Sequence, residues 1–344
     1  MNSTPERTSL STLGCIIRAL PLTALLTACG GGDDGGSAGP GPTPTPPSEI
    51  DQPITEMPTS SYTGDKLAAF IRLNEARLAA GVSAVEQNAQ LDAAAQAHAT
   101  YQVRNYVTGH GEDPDKPWFT GQDPLSRALV QGYTDTPVVE IISYDPPGVE
   151  AIESFLSSVY HLHGLLDPRA NQIGIGVDRT TTPGPLSSTS ITLGTTANGL
   201  LATGPLWHWP TGDQQDVNPR FAPARESPNP APDLEIAGTP IMLCGALDNY
   251  AMLKISKAAL QEEGSATTVP IRLLVSSALQ AQDGVEADVV EDANLTPASI
   301  YQGCVFLLPT IPLEFGKTYE VQISATQAGE PVNATWQFRT RHPS

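Results

Sequence analysis

One segment of the chain cannot fold into a compact domain. Residues 30–47 read GGGDDGGSAGPGPTPTPP, which is rich first in Gly and then in Pro and contains no large apolar side chain. A segment of this composition cannot bury a core and is typical of a flexible tether. We therefore assign residues 29–58 to a Gly/Pro-rich tether and expect ordered structure only after it.

The residues before the tether have the layout of a secretory signal. A weakly basic start is followed by an apolar stretch over residues 19–28 that ends in small residues. The sequence Leu26-Thr27-Ala28-Cys29 resembles the lipobox of bacterial lipoproteins, in which the Cys is lipidated and becomes the mature N-terminus. The resemblance implies a signal peptide over residues 1–28 and a membrane anchor on Cys29. By the same resemblance, the Gly30 that follows the Cys implies that the protein is anchored in the outer membrane of a bacterial envelope.

Charge and hydropathy exclude two classes of protein. The chain of 344 residues carries 18 Lys and Arg against 37 Asp and Glu, a net charge of −19. A nucleic-acid-binding protein needs a basic surface to displace phosphate counterions, so we expect no nucleic acid partner. No apolar run reaches the roughly 18 residues of a membrane-spanning helix. We expect a monomer that is tethered to the membrane and binds an unknown small-molecule, lipid or protein ligand.

The order of the predicted elements favours an α+β fold. Three helical patterns come first, and short β-type runs follow without βαβ alternation. The helical patterns are TGDKLAAFIRLNEARLAAG, QLDAAAQAHATYQVRN and GVEAIESFLSSVY, and the first strand-like runs are IGIGV and SITLG. Beyond residue 205 the chain becomes strand-rich, with runs such as TPIMLCG, CVFLLP and TYEVQISAT. We therefore predict a domain over residues 59–205 and a smaller all-β domain over residues 206–344.

Cys244 and Cys304 both lie in apolar strand-like runs of the second domain. In an oxidising envelope compartment these two residues are expected to form a disulfide. Two buried free thiols are the alternative.

Five stretches between Leu67 and Val177 resemble the CAP superfamily, which comprises the cysteine-rich secretory, antigen 5 and pathogenesis-related proteins. In the order of the family these stretches are LNEARLAAGVSAV, QLDAAAQAHA, GHGE, VVEIIS and FLSSVYHLHGLLDPRANQIGIGV. The resemblance implies an α-β-α sandwich for this region. The C-terminal pattern FGKTYEV, followed by GEPVNATWQFRT, resembles a bacterial immunoglobulin-like β-sandwich.

The resemblance also implies a set of site residues. The family's cleft carries two His and two acidic residues, and the matching positions here are His110, Glu140, His161 and Ser158. Ser158 departs from the family because it is not acidic, so the cleft has one carboxylate. Another histidine, His98, lies on the apolar stripe of the second helix, where we expect a hydrogen-bonded core residue.

Three functions are compatible with these residues. The CAP resemblance implies a non-enzymatic envelope module that binds a ligand or partner. The second function is that of a metal-dependent hydrolase or peptidase, in which His110 and His161 hold Zn²⁺ beside Glu140. A lipid- or sterol-binding protein with an apolar groove is the third. A hydrogen-bonded polar cluster without metal is our preferred interpretation of the three side chains.

Overall fold

A computed structural model describes residues 53–136, 138–195, 206–246, 253–276 and 303–343, and residues 280–281, 285, 287–295 and 301 between the last two ranges. The predicted signal peptide, Cys29 and the tether as far as residue 52 lie outside the described residues, as do residues 196–205 beside the predicted domain boundary. Within the described part, no helix is both long and apolar enough to cross a membrane.

Five α-helices and fourteen strands make up the described chain. The helices are α1 (Gly64–Ala79), α2 (Ala89–Asn105), α3 (Pro124–Val130), α4 (Val149–Leu156) and α5 (Tyr160–Leu165). The first strands are β1 (Glu86–Gln87), β2 (Val138–Ser143), β3 (Gln172–Thr180), β4 (Leu186–Gly194), β5 (Leu206–Trp209), β6 (Gln214–Val217) and β7 (Ile241–Gly245). The remaining strands are β8 (Leu253–Glu262), β9 (Ile271–Val275), β10 (Gln280–Ala281), β11 (Asp288–Glu291), β12 (Cys304–Pro309), β13 (Thr318–Gln327) and β14 (Glu330–Thr340).

The first sheet lies between two layers of helices. Its strand order is β1-β3-β4-β2. Helix α2 packs so closely on β3 that a Cβ at Gly174 or Gly176 would overlap the backbone of Leu91 or Ala95. Because side chains alternate along a strand, Ile173 and Ile175 point to the opposite face of the sheet. There α1, α4 and α5 complete the core.

Two five-stranded sheets follow the helix-sheet-helix sandwich. The middle sheet has the order β11-β9-β12-β7-β5, and the outer sheet has the order β10-β8-β13-β14-β6. Alternate residues of β12 serve two cores: Phe306 packs with the helices of the sandwich, and Leu307 packs with the outer sheet. The predicted α+β class, with an all-β C-terminal domain, is therefore confirmed.

The disulfide joins two neighbouring strands of the middle sheet. Cys304 lies opposite Cys244 in the antiparallel pairing of β12 with β7, and their sulfur atoms are bonded. Both residues are buried in the core that the middle sheet shares with the helices. The predicted disulfide therefore lies where the sandwich and the all-β region pack together.

Candidate functional site

Strand alternation decides which helices Glu140 can reach. Its neighbours in β2, Val139 and Ile141, lie against Gly164 of α5. Glu140 therefore points to the opposite face of the sheet, where α2 and α3 pack. The CAP-like VVEIIS pattern places one carboxylate on that face.

Glu140 lies at the centre of a buried polar network. Both carboxylate oxygens accept a hydrogen bond from Nη2 of Arg127 at 2.8 Å, and Nδ1 of His110 lies 3.0 Å from Oε1. The side chains of Glu140 and Arg127 are each 1% exposed, whereas that of His110 is 50% exposed. The structure therefore brings together two of the predicted site residues, His110 and Glu140, and adds Arg127.

A second carboxylate lies beside the first. Nδ1 of His98 is 2.8 Å from Oε1 of Glu112, and its Nε2 is 3.1 Å from the Gly109 carbonyl and 3.7 Å from Oε1 of Glu140. Each of these neighbouring oxygen atoms is a hydrogen-bond acceptor. His98 is fully buried and hydrogen-bonded, as predicted for a core residue.

The network holds the loop between α2 and α3 in place. Glu112 accepts hydrogen bonds from the backbone N–H groups of Thr120 at 2.6 Å and Gly121 at 3.3 Å. Arg127 donates to the carbonyls of His110 at 3.0 Å and Gly121 at 3.3 Å. These buried charges therefore connect α2, α3 and β2 to one surface loop.

Electrostatics keep both carboxylates ionised. Burial by itself raises the pKa of Glu140, but the hydrogen bond from His110 and the charges of His98 and Arg127 outweigh it and lower the pKa below its usual value. The pKa of Glu112 is also lowered, since hydrogen bonds from His98 and Thr120 and the charge of Arg127 outweigh burial. Both ionised carboxylates thus face protein donors, whereas Nε of Arg127 is buried without a hydrogen bond and lies 3.8 Å from Oε1 of Glu112.

The other two predicted site residues lie elsewhere. His161 is on α5, where its Nδ1 is 2.9 Å from Oε1 of Glu226, a residue of the C-terminal region. Among the contacts of the described residues, no hydrogen bond or ion pair joins His161 to Glu140 or His110. The hydroxyl of Ser158 is buried and donates to the Phe155 carbonyl at 2.7 Å. The structure therefore does not complete the predicted cluster, because α5 lies across the sheet from Glu140.

The donor set of His110, Glu140 and His161 does not fit zinc. A zinc site needs converging imidazole and carboxylate groups whose lone pairs are free for the metal. Here Arg127 occupies both oxygens of Glu140, and Glu226 holds His161. Across the described ranges, no three His, Cys, Asp or Glu side chains form a group that could hold a metal ion.

Sequence reasoning missed two members of the network. Glu112 belongs to the GHGE motif and lies two residues after His110. This spacing could have indicated that Glu112 is a member of the site. Arg127 had no such signal, because it lies in α3, a seven-residue helix that the apolar pattern did not reveal. A buried charge of this kind becomes evident only when its carboxylate partners are located.

Residues 70–184 match the family model described as the cysteine-rich secretory protein family, CAP. The match covers about a third of the chain and confirms the predicted resemblance for those residues. No curated protein matches the chain.

Two solved structures of bacterial proteins are similar in part. An outer surface protein from Borrelia burgdorferi is 17% identical with a TM-score of 0.33, over 38% of this chain and 92% of that one. An extracellular protein containing an SCP domain from Bacillus anthracis is 17% identical with a TM-score of 0.31, over 39% of this chain and 44% of that one.

Proposed function

We propose that this chain is a lipid-anchored protein of the bacterial cell envelope whose CAP domain acts as a non-enzymatic binding module. The observation that carries the proposal is the closure of the polar network around Glu140. Each carboxylate in it is buried and accepts hydrogen bonds from protein donors, so the network resembles a structural element rather than a reaction centre.

A catalytic carboxylate must reach a proton or a metal of the reacting complex. Glu112 and Glu140 have side chains that are 0% and 1% exposed, and their oxygens face His98 and Arg127. Of the network's ionisable groups, His110 alone is substantially exposed. The exposed imidazole of His110 can contact a ligand, whereas the buried carboxylates and Arg127 are engaged with one another. This arrangement favours ligand binding over hydrolysis.

A zinc titration tests the non-enzymatic proposal. We expect calorimetry of the purified protein at pH 7.5 to show weak zinc binding at most, because the oxygens of Glu140 are engaged by Arg127. His110→Ala is the paired variant. Tight binding of one zinc ion per chain that is lost in His110→Ala would support the hydrolase instead.

The membrane anchor belongs to the same proposal. It is supported by the lipobox-like sequence that ends in Cys29 and by the tether that follows. Acyl chains on Cys29 would hold the protein strongly, since each buried CH₂ contributes about 0.8 kcal/mol. We expect Cys29→Ser to lose the label from palmitate feeding and to leave the outer-membrane fraction. Cys15→Ser is the matched control and should keep both, whereas membrane retention of Cys29→Ser would refute the anchor.

A further inference from the structure

Exposed apolar side chains are concentrated in the segment that connects α2 to α3 and in α3 itself. Six of the thirteen large apolar residues that are exposed in the described part of the chain lie between residues 106 and 130. They are Tyr106, Trp118, Phe119, Leu125, Leu129 and Val130, which we call the Trp118 surface. Apolar residues scattered singly need no explanation, but Trp118 and Phe119 are adjacent and Leu125 and Leu129 lie one turn apart on α3, and such groups of exposed apolar side chains are typical of an interaction site.

The backbone at the centre of this surface is strained. Trp118 is 59% exposed and has a φ of +66°, a left-handed conformation that bulky residues rarely adopt. Its neighbour Pro117 is fixed by a hydrogen bond of 2.8 Å from the Asn105 side chain to its carbonyl. Strained conformations persist where the surroundings impose them, and they are concentrated at functional sites.

The polar network fixes the rest of this surface. Glu112 binds the backbone at Thr120, next to Phe119, and Arg127 anchors α3, whose residues Leu125 and Leu129 are exposed. A surface that is rigid before binding loses less conformational entropy when a partner docks. The buried charges therefore hold the backbone beside Phe119 and the helix that carries Leu125 and Leu129.

The rim of the Trp118 surface is acidic. Asp113, Asp115 and Asp123 are exposed, and Lys116 is the single basic residue between residues 111 and 123. A partner with an anionic face, such as an acidic lipid surface, would be repelled. A cationic side chain would be attracted both by the aspartates and by the face of the Trp118 ring.

We propose that the Trp118 surface docks a cationic amphipathic segment of a partner protein. Basic side chains of the partner contact Trp118 and the aspartates, and its apolar side chains cover Leu125, Leu129 and Val130. The inference rests on the proposed function, because it names the partner chemistry of that binding module.

The test uses a labelled helical peptide of about eighteen residues that contains only Leu and Lys, with a Leu and Glu peptide for comparison. Fluorescence anisotropy should show binding of the Lys peptide and little binding of the Glu peptide. Trp118→Gly and Leu129→Ser should each weaken binding about tenfold or more. Ile311→Ser is the matched control, because Leu129 and Ile311 are both 50% exposed, and it should bind as the wild type does.

Trp118→Gly also serves as a folding control, because glycine adopts a positive φ without strain and the variant should stay folded. Absence of binding, equal binding of the two peptides, or equal weakening by Ile311→Ser would overturn the inference. A dimer of the wild type that Leu129→Ser dissociates would assign the surface to a second copy and overturn it as well. None of these results depends on zinc binding. The zinc titration therefore tests the proposed function independently of this inference.

Discussion

At the scale of single residues, the two arginines that are buried in the described part of the chain are each held by several acceptors. Arg77 is fully buried and donates to the carbonyls of Ser83 at 2.7 Å and Leu165 at 2.6 Å. Arg127 is equally buried between two carboxylates. Unpaired buried charges are strongly unfavourable, so each of these side chains fixes the segments that surround it.

His163 is buried in a different environment. Its ring packs edge-on against Phe306, and burial lowers its pKa to about 4 although Asp167 is close. The ordinary pKa of histidine is about 6.5, so between these values the unfolded chain binds a proton that the native protein does not. The stability contributed by neutral His163 is present above pH 6.5 and is lost as the pH falls towards 4.

We predict that His163→Leu reduces the pH dependence of unfolding. Between pH 7 and pH 5 the wild type should lose about 2 kcal/mol of unfolding free energy at this residue. Urea titrations at the two pH values measure the loss, which should be smaller by that amount in His163→Leu. His342→Gln, at an exposed position, should keep the dependence of the wild type. Equal pH dependence of all three proteins would contradict the assignment.

At the scale of elements, one carboxylate determines where α4 ends and α5 begins. The sequence GVEAIESFLSSVY reads as one helix, but the structure has two, with Ser157, Ser158 and Val159 between them. Oxygens of Glu226 accept hydrogen bonds from the backbone N–H groups of Val159 and Tyr160 at 2.9 Å, and from His161 at 3.2 Å. A residue 65 positions later in the chain thus satisfies the first N–H groups of α5, which local sequence cannot predict.

Glu226→Ala should destabilise the start of α5. Loss of the carboxylate leaves buried N–H groups without acceptors, at a cost of about 2 kcal/mol or more. Hydrogen exchange measured by mass spectrometry should become faster across residues 157–166. Glu235→Ala, at an exposed position, is the control. Unchanged exchange in Glu226→Ala would show that Glu226 does not hold the helix.

The predictable parts of the fold were those with local signals. The apolar pattern predicted α1, α2 and the strands β3, β4, β7, β12 and β13 correctly, because their apolar runs are the segments that become buried. It missed α3, whose buried residues Arg127 and Ala128 do not form an apolar stripe. The position of His161 was not predictable either, since it depends on the face of the sheet that α5 covers.

At the scale of the whole molecule, the sandwich and the all-β region share one core. Trp209 of β5 donates its indole N–H to the Leu156 carbonyl of α4 at 3.2 Å, and Tyr160 of α5 donates to Asp292 at 2.6 Å. The shared core includes Phe155 of α4 and Cys304 of β12. The independent melting of two domains is therefore not expected.

We predict one cooperative unfolding transition by calorimetry. Reduction of the Cys244–Cys304 disulfide should shift the whole transition to lower temperature, since a closed loop of 60 residues stabilises by roughly 4 kcal/mol in the chain-entropy model. The non-reduced protein is the reference. Two separate transitions, only one of which responds to reduction, would show that the regions unfold independently.

The measurement that tests the structural interpretation of the network most directly is the stability of Glu140→Gln at pH 7. Loss of this charge leaves the buried Arg127 with only the more distant carboxylate of Glu112, 3.8 Å from its Nε, so we predict that the free energy of unfolding falls by about 3 kcal/mol. Glu150→Gln, at an exposed position in α4, should change it by less than about 0.5 kcal/mol. Catalytic groups are often held at the expense of stability, so a Glu140→Gln protein as stable as the wild type, or more stable, would contradict a structural network and favour a reaction centre.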